Sequence, residues 1–522
     1  MKKLLACLIG VPLIASAGDW TMFGGDPQRT GWARQETEIS KSTAKNFGLK
    51  WKVKVENKQK ALSALTTPII VTGVETEGGV KDLVYVAGSG DYFYALDAND
   101  GSVVWEKQFK SQIARPDDGF WLCPKGLNAT PAADVDKGVV YTISTDGRLY
   151  ALGLADGKEQ YRAIQWVPPF AKAWSLNLRG DWVYTSISQN CGDTPSGVTA
   201  VNIADPYNYT IKSWRSARNG AGIWGRGGAL IGNDGLIYGA TGDGNWDGKR
   251  DFGESMFALD PESLKLIDFY TPENWQYIWD RDFDIGTSPV AFVYRNKEYL
   301  AVGGKEGLVY LAEGAERGAA RMGGKDHFHN IYTTPLLSNE EEWFEAKGVW
   351  GGLSFYRDDE NRHWVYVPIW GALAAKKGPK YPKTNGPNPN GSVVALLVED
   401  DPKTGKPWLK PAWASGDLNL PEPVVIANGV VFALSNGENA RQTHEGGIFP
   451  KGAFQREMLL KNTERFEGVG EGQVFALDAQ TGETLWKSTP METWAHFSGL
   501  GLAGGRVYAV DFNSNVYCFG VK

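Results

Sequence analysis

Histidine and cysteine are scarce in this sequence. Five histidines and four cysteines occur in 522 residues, and no Cys-x-x-Cys-His motif is present, which excludes a covalently attached c-type haem in this chain. His327 and His329 are the only histidines close in sequence, and two ligands without a third nearby rarely make a metal site. Histidine-based hydrolase or lyase chemistry, with His496 as a further candidate, is therefore the weakest functional alternative.

Long apolar runs and clusters of positive charge are also missing. No apolar run long enough to span a membrane follows the first twenty residues, so no transmembrane anchor is expected. The formal net charge is −7, and the basic residues form no stripe or patch along the sequence. This pattern does not favour a nucleic-acid partner.

The N-terminus has the pattern of a secretory signal. Lys2 and Lys3 precede an apolar run, and residues 15–17 read Ala-Ser-Ala, which is the small-x-small pattern of a cleavage site. We predict a signal peptide over residues 1–17, a single mature domain over 18–522, and a periplasmic or secreted location. A lipoprotein signal ending at Cys7 is the weaker alternative, because the apolar run continues beyond that residue.

Glycine, tryptophan and tyrosine are abundant, with 64, 21 and 21 residues. They recur in a pattern of two β-rich runs, an Ala-Leu-Asp, a glycine turn and often a tryptophan, most clearly at 83–105 and 472–486. A period of about 40–50 residues is typical of propeller blades, which must pack against one another to bury their faces. We therefore predict an all-β fold, an eight-bladed β-propeller of four-stranded antiparallel blades.

The last repeat ends at Phe519, before the place of its outer strand. Near the N-terminus, residues 47–55 carry the pattern of such a strand, including Trp51. Closing a ring with strands from both termini removes the exposed edges that promote aggregation. We predict this closure.

Four short segments in the middle of the chain carry the candidate functional residues. They read Ile-Trp-Gly-Arg at 223–226, Thr-Gly-Asp at 241–243, Trp-Asp-Arg-Asp-Phe-Asp-Ile-Gly-Thr-Ser-Pro at 279–289 and Gly-Gly-Lys-Glu-Gly at 303–307. Together with the repeat, these segments resemble the PQQ-repeat β-propellers of the quinoprotein alcohol dehydrogenase-like family, nearest the polyvinyl-alcohol-dehydrogenase-like branch. The resemblance implies pyrroloquinoline quinone (PQQ) in the centre of the ring, with Ca²⁺ or a lanthanide ion beside it.

The resemblance also implies roles for the aromatic and basic residues of these segments. The indole of Trp224 would form the flat floor on which the quinone stacks. Lys305 would place a cation near the quinone oxygens and act in catalysis by stabilising the charge of the reduced cofactor. Arg226 would add to the same basic pocket.

The metal site is implied in the same way. Asp243 stands where the family has an asparagine ligand, and a carboxylate is an equally suitable oxygen ligand for calcium. Asp282 matches the general base, which also contacts the metal, and Asp284 matches a second carboxylate that in some members supports a larger, more highly charged cation. Counting from Trp279 assigns Asp280 and Asp282 instead, and this alternative stays open.

Two departures from the family concern cysteine. Cys191 stands where the family has a glutamate metal ligand in the third repeat, although Asp193 is close enough in sequence to replace it. Many members also cap the cofactor with two adjacent cysteines, and this chain has only Cys123 in that region. A Cys123–Cys191 disulfide would play a comparable capping role in an oxidising compartment.

Two functions follow from these residues. The resemblance implies an exported PQQ-dependent dehydrogenase that oxidises a small alcohol-type substrate by metal-assisted hydride transfer and passes electrons to a separate acceptor such as a cytochrome c. The alternative is a non-catalytic scaffold at the cell envelope that binds protein or polysaccharide partners, as outer-membrane assembly propellers with this repeat do. The joint occurrence of Trp224, Asp243, Asp282 and Lys305 favours the enzyme, whereas the missing glutamate and cysteine pair favour the scaffold.

Overall fold

A computed structural model describes residues 18–59, 64–111, 113, 123, 129–324, 331–341, 347–439, 467–496 and 498–522. The predicted signal peptide, His327 and His329 lie outside the described residues. Within the described residues, no helix is long and apolar enough to cross a membrane. The helices are short, namely α1 (Lys41–Ala44), a 3-10 turn (Cys191–Asp193) and α2 (Trp275–Asp280).

The described residues form thirty-seven strands, numbered in chain order. The strands of the first half are β1 (Phe47–Lys54), β2 (Ile69–Thr76), β3 (Gly79–Gly88), β4 (Tyr92–Asp97), β5 (Val103–Gln108), β6 (Ala132–Asp134), β7 (Val139–Ile143), β8 (Arg148–Gly153), β9 (Ile164–Gln165), β10 (Lys172–Ala173), β11 (Asn177–Arg179), β12 (Trp182–Ser188), β13 (Gly197–Asn202), β14 (Thr210–Arg215), β15 (Gly220–Gly222), β16 (Leu230–Ile231), β17 (Ile237–Ala240), β18 (Gly242–Gly244), β19 (Met256–Leu259) and β20 (Leu266–Tyr270). Those of the second half are β21 (Val290–Tyr294), β22 (Lys297–Gly303), β23 (Val309–Glu313), β24 (Ile331–Thr333), β25 (Gly348–Val349), β26 (Ser354–Arg357), β27 (His363–Trp370), β28 (Lys383–Thr384), β29 (Gly391–Asp400), β30 (Pro407–Ala414), β31 (Val425–Ala427), β32 (Val430–Ser435), β33 (Gln473–Asp478), β34 (Thr484–Lys487), β35 (Gly501–Ala503), β36 (Arg506–Val510) and β37 (Asn515–Val521).

These strands form eight blades, as predicted. Blades one, two, five and seven are four-stranded meanders, β2–β5, β6–β9, β21–β24 and β31–β34. In blade three β10 and β11 share one partner strand, and in blade six β25 and β26 do the same. Blade four comprises β16, β17, β19 and β20, with a two-stranded ladder of β15 and β18 beside it.

The eighth blade joins both ends of the chain, as also predicted. Strand β1 pairs antiparallel with β37, and Trp51 lies opposite Cys518. The order β1-β37-β36-β35 completes a four-stranded sheet. Cys518 is buried in this sheet as a free thiol.

The strands are buried on both faces because each blade packs between two others. In β3, Val84 and Val86 belong to a hydrophobic cluster shared with blades seven and eight. The alternate residues Leu83, Tyr85 and Ala87 belong to a second cluster shared with blade two. This explains why the run is continuously apolar rather than alternating.

Tryptophans of the outer strands link neighbouring blades. The indole N–H groups of Trp51, Trp105 and Trp413 donate to backbone carbonyls of the next blade, those of Ala98, Leu154 and Ala479. The turn glycine beneath such an indole has no room for a side chain. At Gly157, with φ +65°, a Cβ would lie 2.6 Å from the ring of Trp105.

An N-terminal segment that we call the N-terminal belt (residues 19–36) connects all eight blades. From blade eight through blade one to blade six, the first strands of neighbouring blades contact one another along the inner ring. The belt runs along this ring and hydrogen-bonds to each blade in order, through Ile70, Ala133, Asn177, Ile231, Ala291, Phe355, Ile426 and Gly505. The sequence repeat does not include this segment, and its role was not predicted.

Arg29 fixes the belt from within, which makes it a test of the belt's contribution. It is 2% exposed, and its guanidinium donates to the carbonyls of Phe23 and Leu176, both at 2.9 Å. We expect Arg29→Ala to lower the free energy of unfolding by about 2–4 kcal/mol, because two buried carbonyls lose charged donors. Urea unfolding measures this. Arg34→Ala, which removes an exposed ion pair to Asp26, should cost less than about 1 kcal/mol, and equal effects would contradict the prediction.

Candidate functional site

Loops from blades three, four and five converge at one place in the ring. The ladder of β15 and β18 pairs Gly222 with Gly242, so Trp224, which follows β15, and Asp243, within β18, lie near one another. The loop that carries Asp284 packs directly on this ladder. A Cβ at Gly242 would lie 2.4 Å from the Cβ of Asp284, so glycine permits this close approach.

Three carboxylates meet at this junction. Asp243, Asp282 and Asp284 each present an oxygen within 4.8 Å of the others. The backbone N–H of Asp243 donates to Oδ1 of Asp284 at 3.0 Å. Asp284 is fully buried, and Asp282 is 7% exposed. Oxygens that bind one calcium ion at about 2.4 Å lie at most about 4.8 Å apart, so the group matches the span of a cation site.

The backbone at these carboxylates is unusual. Asp243 and Asp282 have positive φ angles of 55° and 56°. Such angles are uncommon for residues other than glycine and concentrate at functional sites. The local fold therefore keeps these two acids in place at a conformational cost.

Lys305 supplies the positive charge that is paired with the acidic group. Its ammonium donates to Oδ2 of Asp284 at 2.7 Å and also to Asp282. The turn between β22 and β23 carries this lysine and is fixed to the acidic loop by two backbone bonds, from Lys305 N to Asp284 O and from Glu306 N to Phe283 O, both at 3.0 Å. The positions of lysine and acids are thus determined together.

Burial and mutual repulsion set the protonation of these groups. Burial, with repulsion from Asp284, raises the pKa of Asp243 to about 7. Burial also raises the pKa of Asp282 well above its ordinary value, although Lys305 opposes this effect. Asp284 is different, because the attraction of Lys305 and several hydrogen bonds outweigh burial and hold its pKa below the ordinary value. The pKa of Lys305 is raised by the three aspartates against the effect of burial.

Asp280 lies apart from this group. It ends α2, is partly exposed, and accepts a hydrogen bond from Gln276 at 3.0 Å. The structure therefore brings together Asp282 and Asp284, and not Asp280, with Asp243. This geometry matches the assignment of Asp282 and Asp284, and not the alternative assignment of Asp280 and Asp282 that is counted from Trp279.

A pocket of indoles and cations adjoins the acidic group. Lys172 in β10 is 3% exposed, and its Nζ lies 4.7 Å from the centre of the Trp224 ring and 5.3 Å from that of Trp174. The guanidinium of Arg226 lies over the other indole, that of Trp174, at 5.5 Å. Trp224 packs against Gly286, which is two residues after Asp284. A Cβ added to Gly286 would lie 3.4 Å from the Cβ of Trp224. The pocket and the acidic group are therefore contiguous.

The two cations differ in charge state. Burial, with repulsion from Arg226, lowers the pKa of Lys172 to about 7. Lys172 forms no ion pair or hydrogen bond through its ammonium with a described residue. Burial lowers the pKa of Arg226 to about 9, so it stays charged at neutral pH. Asp243 attracts Lys172 without forming an ion pair with it, so a bound anion would offset part of the cost of burying this cation.

A disulfide joins Cys123 and Cys191, with their Cα atoms 5.6 Å apart. Cys191 is buried three residues beyond Ser188, whose hydroxyl accepts the indole N–H of Trp174 at 3.0 Å. Because both sulfurs are bonded to each other, Cys191 cannot act as a metal ligand. Asp193 is exposed and does not belong to the acidic group, so the expected glutamate replacement from this loop is absent among the described residues.

Several residues of the site were missed from the sequence. Lys172 and Trp174 alternate along one chain segment, and this period-two spacing was the only available signal that they face the same pocket. Glu254, which is fully buried beside Asp284, follows a glycine in a loop and carries no pattern. His496, a candidate from the sequence, hydrogen-bonds to Glu438, and both side chains are buried. The charge of Glu438 also acts on Arg226.

The residues fit the groups that the resemblance implies. PQQ is a flat aromatic tricarboxylate, and the pocket offers two indole rings with two buried cations beside them. Stacking and cation–carboxylate pairing suit such a ligand. The acidic group offers only carboxylate oxygens, which suit calcium or a lanthanide ion and not a soft metal.

Comparisons with known proteins find relatives that carry the PQQ repeat. Residues 36–232 match a PQQ-repeat family model described as outer membrane protein assembly factor BamB. The chain is 32% identical over 145 residues to a quinohemoprotein alcohol dehydrogenase of Comamonas testosteroni, which is 28% of this chain and 18% of that protein. It is 29% identical over 155 residues to a 1-butanol dehydrogenase (cytochrome c) of Thauera butanivorans, 30% of this chain and 20% of that protein. The matched segments thus span at most a fifth of these relatives.

Solved structures share the fold over nearly the whole chain. The quinohemoprotein alcohol dehydrogenase of Comamonas testosteroni superposes with a TM-score of 0.55 at 16% identity, over 97% of this chain and 80% of that one. A europium-containing methanol dehydrogenase superposes with a TM-score of 0.58 at 12% identity, over 96% and 98%. The repeat, the eight-bladed ring and these relatives together support a relationship of this chain to the PQQ-repeat β-propellers of the quinoprotein alcohol dehydrogenase-like family.

Proposed function

We propose that this protein is an exported PQQ-dependent dehydrogenase that oxidises an alcohol or a similar hydroxylated substrate. One observation carries the proposal: a buried group of three carboxylates and a lysine adjoins a pocket of two indoles and two buried cations. A scaffold has no need for either feature, because burying charges costs free energy that surface binding does not return.

Each part of the site has a role in this proposal. PQQ, when bound, supplies the acceptor for two electrons, and a separate acceptor such as a cytochrome c removes them. Trp224 provides a flat surface for the cofactor, and Lys172 and Arg226 neutralise its carboxylates. Asp243, Asp282 and Asp284 hold a Ca²⁺ or lanthanide ion. The Cys123–Cys191 disulfide covers the pocket.

Asp282 takes the proton of the substrate hydroxyl. Lys305 donates to it and therefore favours its ionised form, which is the form that accepts a proton. Lys305 would also place a positive charge beside a bound quinone, where it would favour the acceptance of electrons.

Reconstitution tests the proposed function. The purified mature protein is mixed with PQQ and Ca²⁺, and separately with PQQ and La³⁺, while quinone absorbance, melting temperature and dye reduction by small alcohols are followed. Saturable binding with a raised melting temperature and alcohol-dependent dye reduction supports the proposal. If PQQ binds with neither metal, the proposal is wrong.

Lys172 provides a prediction that does not depend on turnover. We expect Lys172→Met to raise the Kd for PQQ by about 10–100-fold, because a buried charge-assisted contact of about 1.5–3 kcal/mol is lost. In the unmodified protein, Lys172 has a pKa of about 7 and must gain a proton to bind an anion above that pH. The affinity for PQQ should therefore be constant below pH 7 and fall as the pH rises above 7. In Lys172→Met this pH dependence should be absent. Quenching of tryptophan fluorescence measures the Kd.

Lys172→Arg is the matched control for that experiment. It keeps a cation whose pKa is ordinarily above 12, so the fall in affinity should move to higher pH while the affinity at pH 6 is retained. If the affinity for PQQ depended on pH in both variants as it does in the unmodified protein, Lys172 would not be part of the cofactor pocket.

The second candidate function is a non-catalytic scaffold that binds protein or polysaccharide partners at the cell envelope. The observation in its favour is the match of residues 36–232 to a family model described as an assembly factor. That match ends before Asp243, Asp282, Asp284 and Lys305, so it does not include the acidic group. Failure of PQQ and metal binding would make this the better function.

A further inference from the structure

Aromatic side chains are concentrated in the short helix α2. Three of its six residues are aromatic, namely Trp275, Tyr277 and Trp279. Tyr277 is 40% exposed and both tryptophans are partly exposed, whereas Ile278 is fully buried and anchors the helix. A ring that stays in contact with water gains little from folding, and a cluster of such rings is typical of a surface that binds a ligand or a partner.

The loop that follows β18 adds a further indole to this cluster. The ring centres of Trp246 and Trp275 lie 6.0 Å apart. Those of Trp275 and Trp279 lie 6.4 Å apart, and the two ring planes are inclined by only 23°. Trp275 therefore lies between the other two indoles. We call Trp246, Trp275, Tyr277 and Trp279 the aromatic patch.

The aromatic patch is fixed to the segment that carries the proposed general base. The backbone N–H groups of Asp282 and Phe283 donate to the last carbonyls of α2, those of Trp279 and Ile278, at 3.2 and 2.9 Å. The helix also contacts β18, which carries Asp243. A ligand held on the patch would therefore lie beside the acidic group.

Hydrogen-bonding side chains border the aromatic patch. Gln276 donates to Asp280 at 3.0 Å, and Asn274 donates to Glu306 at 3.1 Å, and both bonds are exposed to solvent. An aliphatic ligand or a membrane would cover these polar groups without replacing their contacts with water. A sugar offers apolar C–H faces to the indoles and hydroxyl groups to the amides and carboxylates.

The charges around the aromatic patch are of both signs. Glu273, Asp280 and Arg281 flank its rings on α2, and the loop of Trp246 adds Lys249 and Arg250. Such a mixture does not favour a nucleic acid or a strongly charged peptide. It is compatible with a neutral ligand that is rich in hydroxyl groups.

We propose that the aromatic patch binds a carbohydrate and that the hydroxylated substrate of the adjoining site is a neutral sugar or oligosaccharide. The substrate assignment rests on the proposed function, because it assumes that the acidic group takes part in the oxidation of a hydroxyl. The reaction would convert one H–C–OH group of the sugar to C=O. The hydroxyl proton would go to Asp282, and the hydride would go to PQQ.

The first test is carbohydrate binding to the full mature protein without PQQ or metal. Cellopentaose and maltopentaose, two neutral oligosaccharides that differ in linkage, are titrated by calorimetry. We expect saturable binding of at least one of them. W275A should raise its Kd by about 10–30-fold, the usual effect of truncating an anchoring aromatic side chain. W275Y keeps a ring at this position and should recover part of the affinity.

A tryptophan outside the aromatic patch provides the matched control. Trp408 is a partly exposed indole in β30, an outer strand of blade six, and W408A should leave the Kd unchanged. Melting temperatures report whether each variant folds. If neither oligosaccharide binds, or if W275A and W408A bind equally well, the aromatic patch is not a carbohydrate site and the inference is wrong.

Turnover separates this inference from the proposed function. The protein reconstituted with PQQ and metal is assayed for dye reduction with the oligosaccharide that binds and with 1-butanol. We expect oxidation of the oligosaccharide, with a KM that rises in W275A while kcat changes little. If the oligosaccharide binds but only 1-butanol is oxidised, the substrate assignment is wrong and the proposed function stands. If neither is oxidised, the proposed function is overturned, and the binding result alone decides the role of the patch.

Discussion

Replacing Asp282 with asparagine is expected to lower PQQ-dependent alcohol oxidation by about 10³-fold, the typical contribution of a general base. Asparagine has nearly the same shape but cannot accept the substrate proton. The kcat of the reconstituted enzyme, measured by dye reduction, should fall, whereas PQQ binding followed by fluorescence quenching should change little. Loss of one carboxylate should also weaken cation binding, so turnover is compared at saturating metal.

Asp280→Asn is the matched control for this variant. Asp280 is two residues away and accepts a hydrogen bond from Gln276 outside the acidic group. It should retain full turnover. If instead Asp280→Asn abolished activity and Asp282→Asn did not, the base would be Asp280 and the other register of the acidic segment would be correct.

Lys305→Met should produce the largest change in stability. The ammonium of Lys305 is bonded to Asp282 and Asp284, both buried. Removing it leaves buried negative charges without compensation, which costs about 3–5 kcal/mol. We expect a corresponding fall in the urea midpoint in metal-free protein. Added La³⁺ should recover much of this loss, because a cation in the acidic group replaces the missing charge.

An exposed lysine of the same blade is the control for this loss. Lys297 forms an ion pair with Glu313 at 3.0 Å and its side chain is 53% exposed, so Lys297→Met should cost less than about 1 kcal/mol. Equal stability of the two variants would show that Lys305 does not compensate the buried acids. Recovery by La³⁺ in the control variant would show a general effect of the ion.

Much of the ring could be predicted because its signals are local. Each blade repeats the same turn and the same run of β-formers, so the run at Leu83 predicts a strand without reference to the rest of the chain. Trp224, Asp282 and Lys305 could be found from short motifs for the same reason. Lys172 and Glu254 could not be found in this way. Their burial depends on the contact of three blades, and the residues adjacent to them in sequence give no indication of that contact.

The N-terminal belt imposes an order on folding. Glu36 accepts the backbone N–H of Gly505, and 469 residues separate them in the chain. The belt is therefore fully paired only when blade eight is in place, and contacts of such high sequence separation form slowly. A chain truncated before blade eight would leave β1 and the end of the belt at Glu36 without these partners. We therefore expect the last bond of the belt and the pairing of β1 with β37 to form late in folding.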